Sequence, residues 1–305
     1  MTARILVIRL GALGDFVQSA GPFAAIRAHH ADAEITLLTT RPFAAFAAAS
    51  PWFDHVWIDD KPKVWQWRKL RALRNQLRAV PFRRVYDLQT SDRSSSYFRL
   101  IGGDVEWSGI ARGCSHPHAN PRRDFLHTIE RQAEQLAMAG IEAVPPPELS
   151  WVPDDTARFG LAAPFVPLCP GGAPHRPAKR WPAERFAQLA AWLAARGVTP
   201  VLLGTGAEAA ELDAIAAACP QARSLAGLTD FFDIAALGRG ALAAVGNDTG
   251  PMHLIAAAGA PSVVLFSDAS DPALCAPRGR VTVLGRPSLD QLPTAEVESA
   301  LAALT

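Results

Sequence analysis

The residues able to do chemistry fall in four short stretches: "GALGD" (11–15), "CPGGAPHRPAKR" (169–180), "GTGAEAAE" (204–211) and "NDTGPMH" (247–253). The first sets a carboxylate, Asp15, directly behind two glycines, Gly11 and Gly14. Glycine lets a bulky ligand approach the backbone, so this is a fitting place for a general base. The same aspartate also reads as an ordinary helix cap. A dinucleotide fingerprint does not fit, because the spacing is GxxGD and not GxGxxG. The second apolar run also begins with Glu34 instead of ending in an acid.

The last stretch carries a different chemistry. A buried-strand pattern runs into Asp248-Thr249-Gly250, with Pro251 early in the helix that follows. The free N–H groups and partial positive charge of such a helix start hold a diphosphate. Thr249 adds a hydroxyl, Gly250 permits close approach, Asp248 can accept from sugar hydroxyls, and His253 lies one turn on. The plainer alternative makes Asp248 or Thr249 a cap and His253 an interior residue. In the second stretch Gly171 and Gly172 form a close-approach loop beside His175, Arg176, Lys179 and Arg180. Of these Lys179 suits the charge of a leaving diphosphate, while Arg176 and Arg180 also read as a solvated basic loop. Glu208 in the third stretch could hold ribose hydroxyls or simply favour the positive end of its own helix.

Short apolar runs alternating with helical patterns must position these residues, as in βαβ units with parallel sheets. Strands are expected at 4–10, 34–40, 55–58, 84–89 and 105–110, then at 165–170, 198–204, 222–227, 241–248 and 261–267. Helices are expected at 15–29 (kinked at Gly21-Pro22), 124–140, 182–197 and 294–304, the last opening on a T-x-x-V cap. The proline-rich run 142–155 reads as a linker. The reading is two doubly wound, Rossmann-like α/β domains, 1–150 and 151–305, facing a central cleft. It leaves open whether the last helix packs back on the first domain.

Composition narrows the partners. Thirty basic residues against 29 acidic ones, a net charge of +1, argue against nucleic acid. No apolar run approaches the roughly 20 residues of a membrane span, and the N-terminus lacks a signal-peptide pattern. The four scattered cysteines show neither metal spacing nor a disulfide framework, which suits a reduced, cytoplasmic protein.

With these motifs in order, the chain resembles the glycosyltransferase family 9 heptosyltransferases, which transfer heptose from ADP-heptose to lipopolysaccharide and have the GT-B fold. The likeness runs through "ILVIRLGALGDFVQSAGPFAAIR", "PGGAPHRPAKRWPAERF", "LLGTGAEAAE" and "VGNDTGPMHLIAAAGAPSVVLFSDASDP". It implies a first domain that binds the acceptor and a second that binds the nucleotide sugar. Asp15 would be the catalytic base, in an acceptor loop containing Gly11 and Gly14. Lys179 would contact the donor phosphates, Glu208 the ribose, and Asp248 the donor sugar. Thr249 and Gly250 would form the diphosphate turn, with His253 beside it and Gly171, Gly172 and His175 as the donor loop. The implied reaction inverts the sugar in one displacement, without a cofactor or metal, onto a lipid-linked or glycan acceptor. Readings of another kind are a sugar-nucleotide epimerase of the same fold and a non-catalytic sugar-nucleotide-binding protein. The Pro174-His175 pair departs from the family's usual hydroxyl residue. The Arg- and Trp-rich segment 59–80 matches no family motif; it reads either as a solvated amphipathic helix or as contact with an anionic lipid-linked acceptor or the inner membrane leaflet.

Overall fold

The computed structural model describes residues 2–161, 163–172 and 176–305. The chain divides into two compact units, Met1–Pro147 and Glu148–Thr305, so the boundary falls inside the proline-rich run.

In the first unit the strands are β1 (Arg4–Ile8), β2 (Glu34–Thr39), β3 (His55–Ile58), β4 (Arg84–Asp87), β5 (Glu106–Gly109) and β6 (His116–Pro117). Its helices are α1 (Leu13–Gln18), α2 (Ala20–His29), α3 (Arg41–Ala49), α4 (Trp67–Arg78), α5 (Asp92–Ile101) and α6 (Thr128–Ala137). The second unit holds β7 (Phe165–Cys169), α7 (Ala183–Ala194), β8 (Thr199–Leu202), α8 (Ala209–Ala218), β9 (Arg223–Ser224) and α9 (Phe231–Gly240). It continues through β10 (Ala244–Asn247), α10 (Gly250–Ala257), β11 (Ser262–Ser267), α11 (Pro272–Cys275), β12 (Val281–Arg286) and α12 (Thr294–Ala302).

Both sheets are wholly parallel, ordered β3-β2-β1-β4-β5-β6 and β12-β11-β10-β7-β8-β9. Counted within its own unit, each sheet has the order 3-2-1-4-5-6, whose direction reverses beside the first strand. Strands β7 and β11 are buried along their whole length, the continuous apolar run a sheet covered on both faces requires. Leu6, Ile8, Leu38, Tyr97 and Trp107 form part of one core, and Leu168, Trp181, Phe186, Val245 and Leu265 part of the other.

All ten expected strands form. Two more appear: β6, only two residues long, and β12, an edge strand of mixed burial that lacks a buried apolar signature. The helix expected over 15–29 is interrupted at Ser19, before Gly21-Pro22. Pro22 therefore sits in the first turn of α2, where its missing N–H costs no helix bond. Gly21 admits the linker, because a Cβ there would lie 2.0 Å from the Pro145 carbonyl oxygen. The last helix packs on α7 and β11 of its own unit, burying Val297 and Leu301. Its N-cap is Pro293 with no side-chain cap, and Thr294 donates instead to Gln188, so the T-x-x-V cap does not form.

Candidate functional site

Each unit presents its chemistry at the carboxyl ends of the strands flanking the reversal, where open α/β sheets hold ligands.

In the first unit β1 ends in the loop leading to α1. Gly11 has φ +118°, which only glycine adopts readily, and a Cβ there would lie 3.0 Å from Phe43. Ala12 is the N-cap of α1 and makes no side-chain cap bond; Gly14 and Asp15 are the second and third helical residues. Asp15 is thus not the cap. Its carboxylate is 42% exposed and has one oxygen 3.5 Å from Nη2 of Arg9. Arg9 is itself buried, donating from Nη1 to the Leu88 carbonyl at 2.5 Å. Burial holds its pKa below the usual guanidinium value, against the raising influence of Asp15. Only an anion nearby repays the desolvation of such a cation.

A second carboxylate, Asp87, closes β4. It is fully buried; Oδ1 accepts from the N–H groups of Gln89 (3.2 Å) and Thr90 (3.0 Å), while Oδ2 has no hydrogen-bond partner among the described residues. Burial pushes its carboxyl up to about 7, opposed by those N–H bonds, by Ser94 and by Arg9. Gln89 in turn accepts from the Leu10 N–H at 2.8 Å, tying the β4 exit to the β1 exit.

In the second unit β10 ends in Asn247, and Thr249 is the N-cap of α10, with Gly250 as the first helical residue. Thr249 makes no side-chain cap bond; its hydroxyl donates to the Asn247 carbonyl at 3.2 Å. His253 is buried in α10. Lys179, on the 3-10 turn Pro177–Lys179, donates to Oδ2 of Asp248 at 2.5 Å, and the Ser270 hydroxyl donates to the same oxygen at 2.7 Å. Both charges are largely buried, the Lys179 side chain 12% and that of Asp248 8% exposed.

Glu208 is occupied locally. Its Oε2 accepts from the N–H and hydroxyl of Thr205, completing a capping box, and Oε1 accepts from the Gly172 N–H at 3.1 Å. A Cβ on Gly171 would lie 2.0 Å from that Oε1. The carboxylate therefore fastens the glycine loop after β7 to the loop after β8. Arg180 is not a freely solvated loop residue, since it donates to the Gly172 carbonyl at 2.6 Å and lies 3.4 Å from Glu211. His175 falls outside the described residues.

Four residues escaped the sequence reading: Arg9, Asp87, Asn247 and Ser270. Asn247 donates to the carbonyls of Pro170 and Gly171 and accepts from the Trp181 N–H, so it fixes both ends of the loop after β7. For Arg9 and Asp87 a signal existed, a charge inside an otherwise apolar strand run. Among the described residues no group of three or more His, Cys, Asp or Glu is placed to hold a metal ion.

Two wholly parallel, doubly wound units, with a glycine-backed carboxylate in one and a lysine beside a helix start in the other, define a chain of the GT-B type. The glycosyltransferase family 9 (heptosyltransferase) model matches residues 70–303, and the chain belongs to that family. Over 120 residues it is 38% identical to lipopolysaccharide heptosyltransferase 2 of Escherichia coli K12, a match covering 37% of this chain and 34% of that protein's length. The structure of E. coli ADP-heptose lps heptosyltransferase II superposes with TM-score 0.82 at 25% identity, over 99% of this chain and 98% of that one. The E. coli heptosyltransferase WaaC with ADP shares the fold, with TM-score 0.80 at 20% identity over 99% and 100% of the two chains.

Proposed function

We propose that the protein is an inverting glycosyltransferase that moves heptose from ADP-heptose to a lipopolysaccharide-core or related glycan acceptor. In this reading the first unit, 1–150 in the sequence division, binds the acceptor and the second, 151–305, the nucleotide sugar. The observation that carries it is the pairing of Lys179 with Asp248 beside the start of α10, which puts a cation, a hydroxyl-accepting carboxylate and free helix amides at one strand end.

Asp15 takes the proton of the acceptor hydroxyl, whose oxygen forms the new bond to the anomeric carbon as the bond to the diphosphate oxygen breaks. The leaving ADP departs with its charge held by Lys179 and by the N–H groups at Thr249 and Gly250; no metal or other cofactor is assigned a step. Binding would draw Lys179 off Asp248 toward the diphosphate, freeing a carboxylate oxygen for sugar hydroxyls. His253 supports the turn from within α10. Glu208 meets the ribose only through lone pairs its loop contacts leave over, so its main part is to shape Gly171 and Gly172. Arg9 acts through Asp15, holding the carboxylate in place from 3.5 Å away.

Family membership and the likeness to the E. coli ADP-heptose lps heptosyltransferase II support adenine and heptose. A lipid-linked acceptor would place the protein in the cytoplasm, at the inner face of its membrane; no helix among the described residues is long and apolar enough to cross one. A thermal-shift screen of ADP, UDP and GDP tests the donor half. ADP should raise the melting temperature most, because a ligand that binds only the native state stabilises it by mass action. A preference for UDP would overturn the assignment.

A further inference from the structure

Segment 61–78 contains seven cations, Lys61, Lys63, Arg68, Lys69, Arg71, Arg74 and Arg78, and no acid. All seven side chains are exposed. With a net charge of only +1 overall, the rest of the chain is net negative, so the excess positive charge is concentrated in this segment. The helix within it, α4, buries only Leu73 and Leu77 against its unit.

Solvated charge would explain the arginines but not their neighbours. Val64, Trp65 and Trp67 are 83%, 69% and 61% exposed. Two cations lie over the bare indoles, Lys63 5.0 Å from the centroid of Trp65 and Arg68 5.1 Å from that of Trp67. Exposed indoles flanked by cations match a bilayer interface, where aromatic rings settle at headgroup depth and lysine and arginine meet anionic lipid. Because every strand of this sheet is parallel, the segment leaves β3 by the same edge at which β1 leads to Asp15.

We propose that the start of this segment, residues 61–71, is a bilayer-docking surface, with Val64, Trp65 and Trp67 entering the headgroup region of an anionic membrane and Lys61, Lys63, Arg68, Lys69 and Arg71, the cations nearest that edge, meeting its lipid phosphates. Docking by this edge would present Asp15 to an acceptor whose lipid end stays in the bilayer. That purpose rests on the transferase reading, whereas vesicle binding is scored without any transfer assay.

The test is co-sedimentation of the whole chain with phosphatidylcholine vesicles and with phosphatidylcholine–phosphatidylglycerol vesicles. Wild type should pellet with the anionic vesicles, stay in solution with the neutral ones, and be released by salt. Arg68→Glu with Arg71→Glu should weaken anionic binding by on the order of ten-fold or more, as should Trp65→Ser with Trp67→Ser. Arg196→Glu with Arg223→Glu, the same charge change in the second unit, should leave it intact. All these side chains are surface groups, and a melting curve confirms that each variant is folded. Equal binding to both vesicles, anionic binding untouched by the tryptophan changes, or stronger retention by single-stranded RNA than by anionic vesicles would each overturn the proposal.

Discussion

The two units repeat one strand order and put a differently built ion pair at the same topological place. Where β1 and β4 part, an exposed carboxylate stands over a buried guanidinium. Where β7 and β10 part, a buried lysine and aspartate meet beside the start of a helix. Topology thus decides where a ligand can sit, while a few side chains decide which. An exposed anion backed by a cation suits proton abstraction, and a cation among amides suits a diphosphate.

The sharpest way to break this contrast is Asp15→Asn. Transfer should fall by on the order of 10²- to 10⁴-fold while ADP binding, measured by calorimetry, is unchanged. Full transfer activity would remove the base from the first unit. Lys179→Ala is the matching change in the second. It should weaken ADP by roughly ten-fold or more, and among the described residues it leaves the Asp248 side chain only the Ser270 hydroxyl, at a cost of about 3 kcal/mol in urea unfolding. Unchanged ADP affinity would refute the phosphate role.

Asp87 sharpens the first unit's side through pH. Its folded pKa of about 7 lies above the ordinary 3.8, so the folded state binds more protons between those values and stability falls as pH rises through them. Asp87→Asn should flatten that slope, a difference of up to about 4 kcal/mol between pH 4 and pH 7. An unchanged pH–stability curve would show that Asp87 does not titrate there.

Gly171→Ala is a smaller change in the second unit. The new methyl must displace the Glu208 carboxylate, costing about 1–3 kcal/mol and loosening the Gly172 contact. ADP affinity should drop several-fold, and Glu208→Ala should relieve the clash in the double variant; additive losses would mean the two do not interact. Ser270→Ala should do least, raising the donor KM about two- to five-fold by releasing one hydrogen bond to Asp248, with kcat little altered.

Much of this was legible in the residues themselves. Apolar runs alternating with helical periods marked ten of the twelve strands among the described residues, because a parallel sheet covered on both faces demands continuous burial, whereas the edge strands β6 and β12 lack it and left no such mark. Glycines followed by Asp15, and D-T-G opening a helix, marked the turns after β1 and β10 where α1 and α10 begin. Partnership was not legible, because hydrogen bonds between loops join residues far apart in the chain. Only the tertiary structure paired Lys179 with Asp248, 69 positions away, and turned Glu208 from a free carboxylate into the clasp of a glycine loop. It also moved Asp15 from cap to third helical residue, because the turn after β1 begins its helix at Leu13 and leaves the carboxylate open beside Arg9.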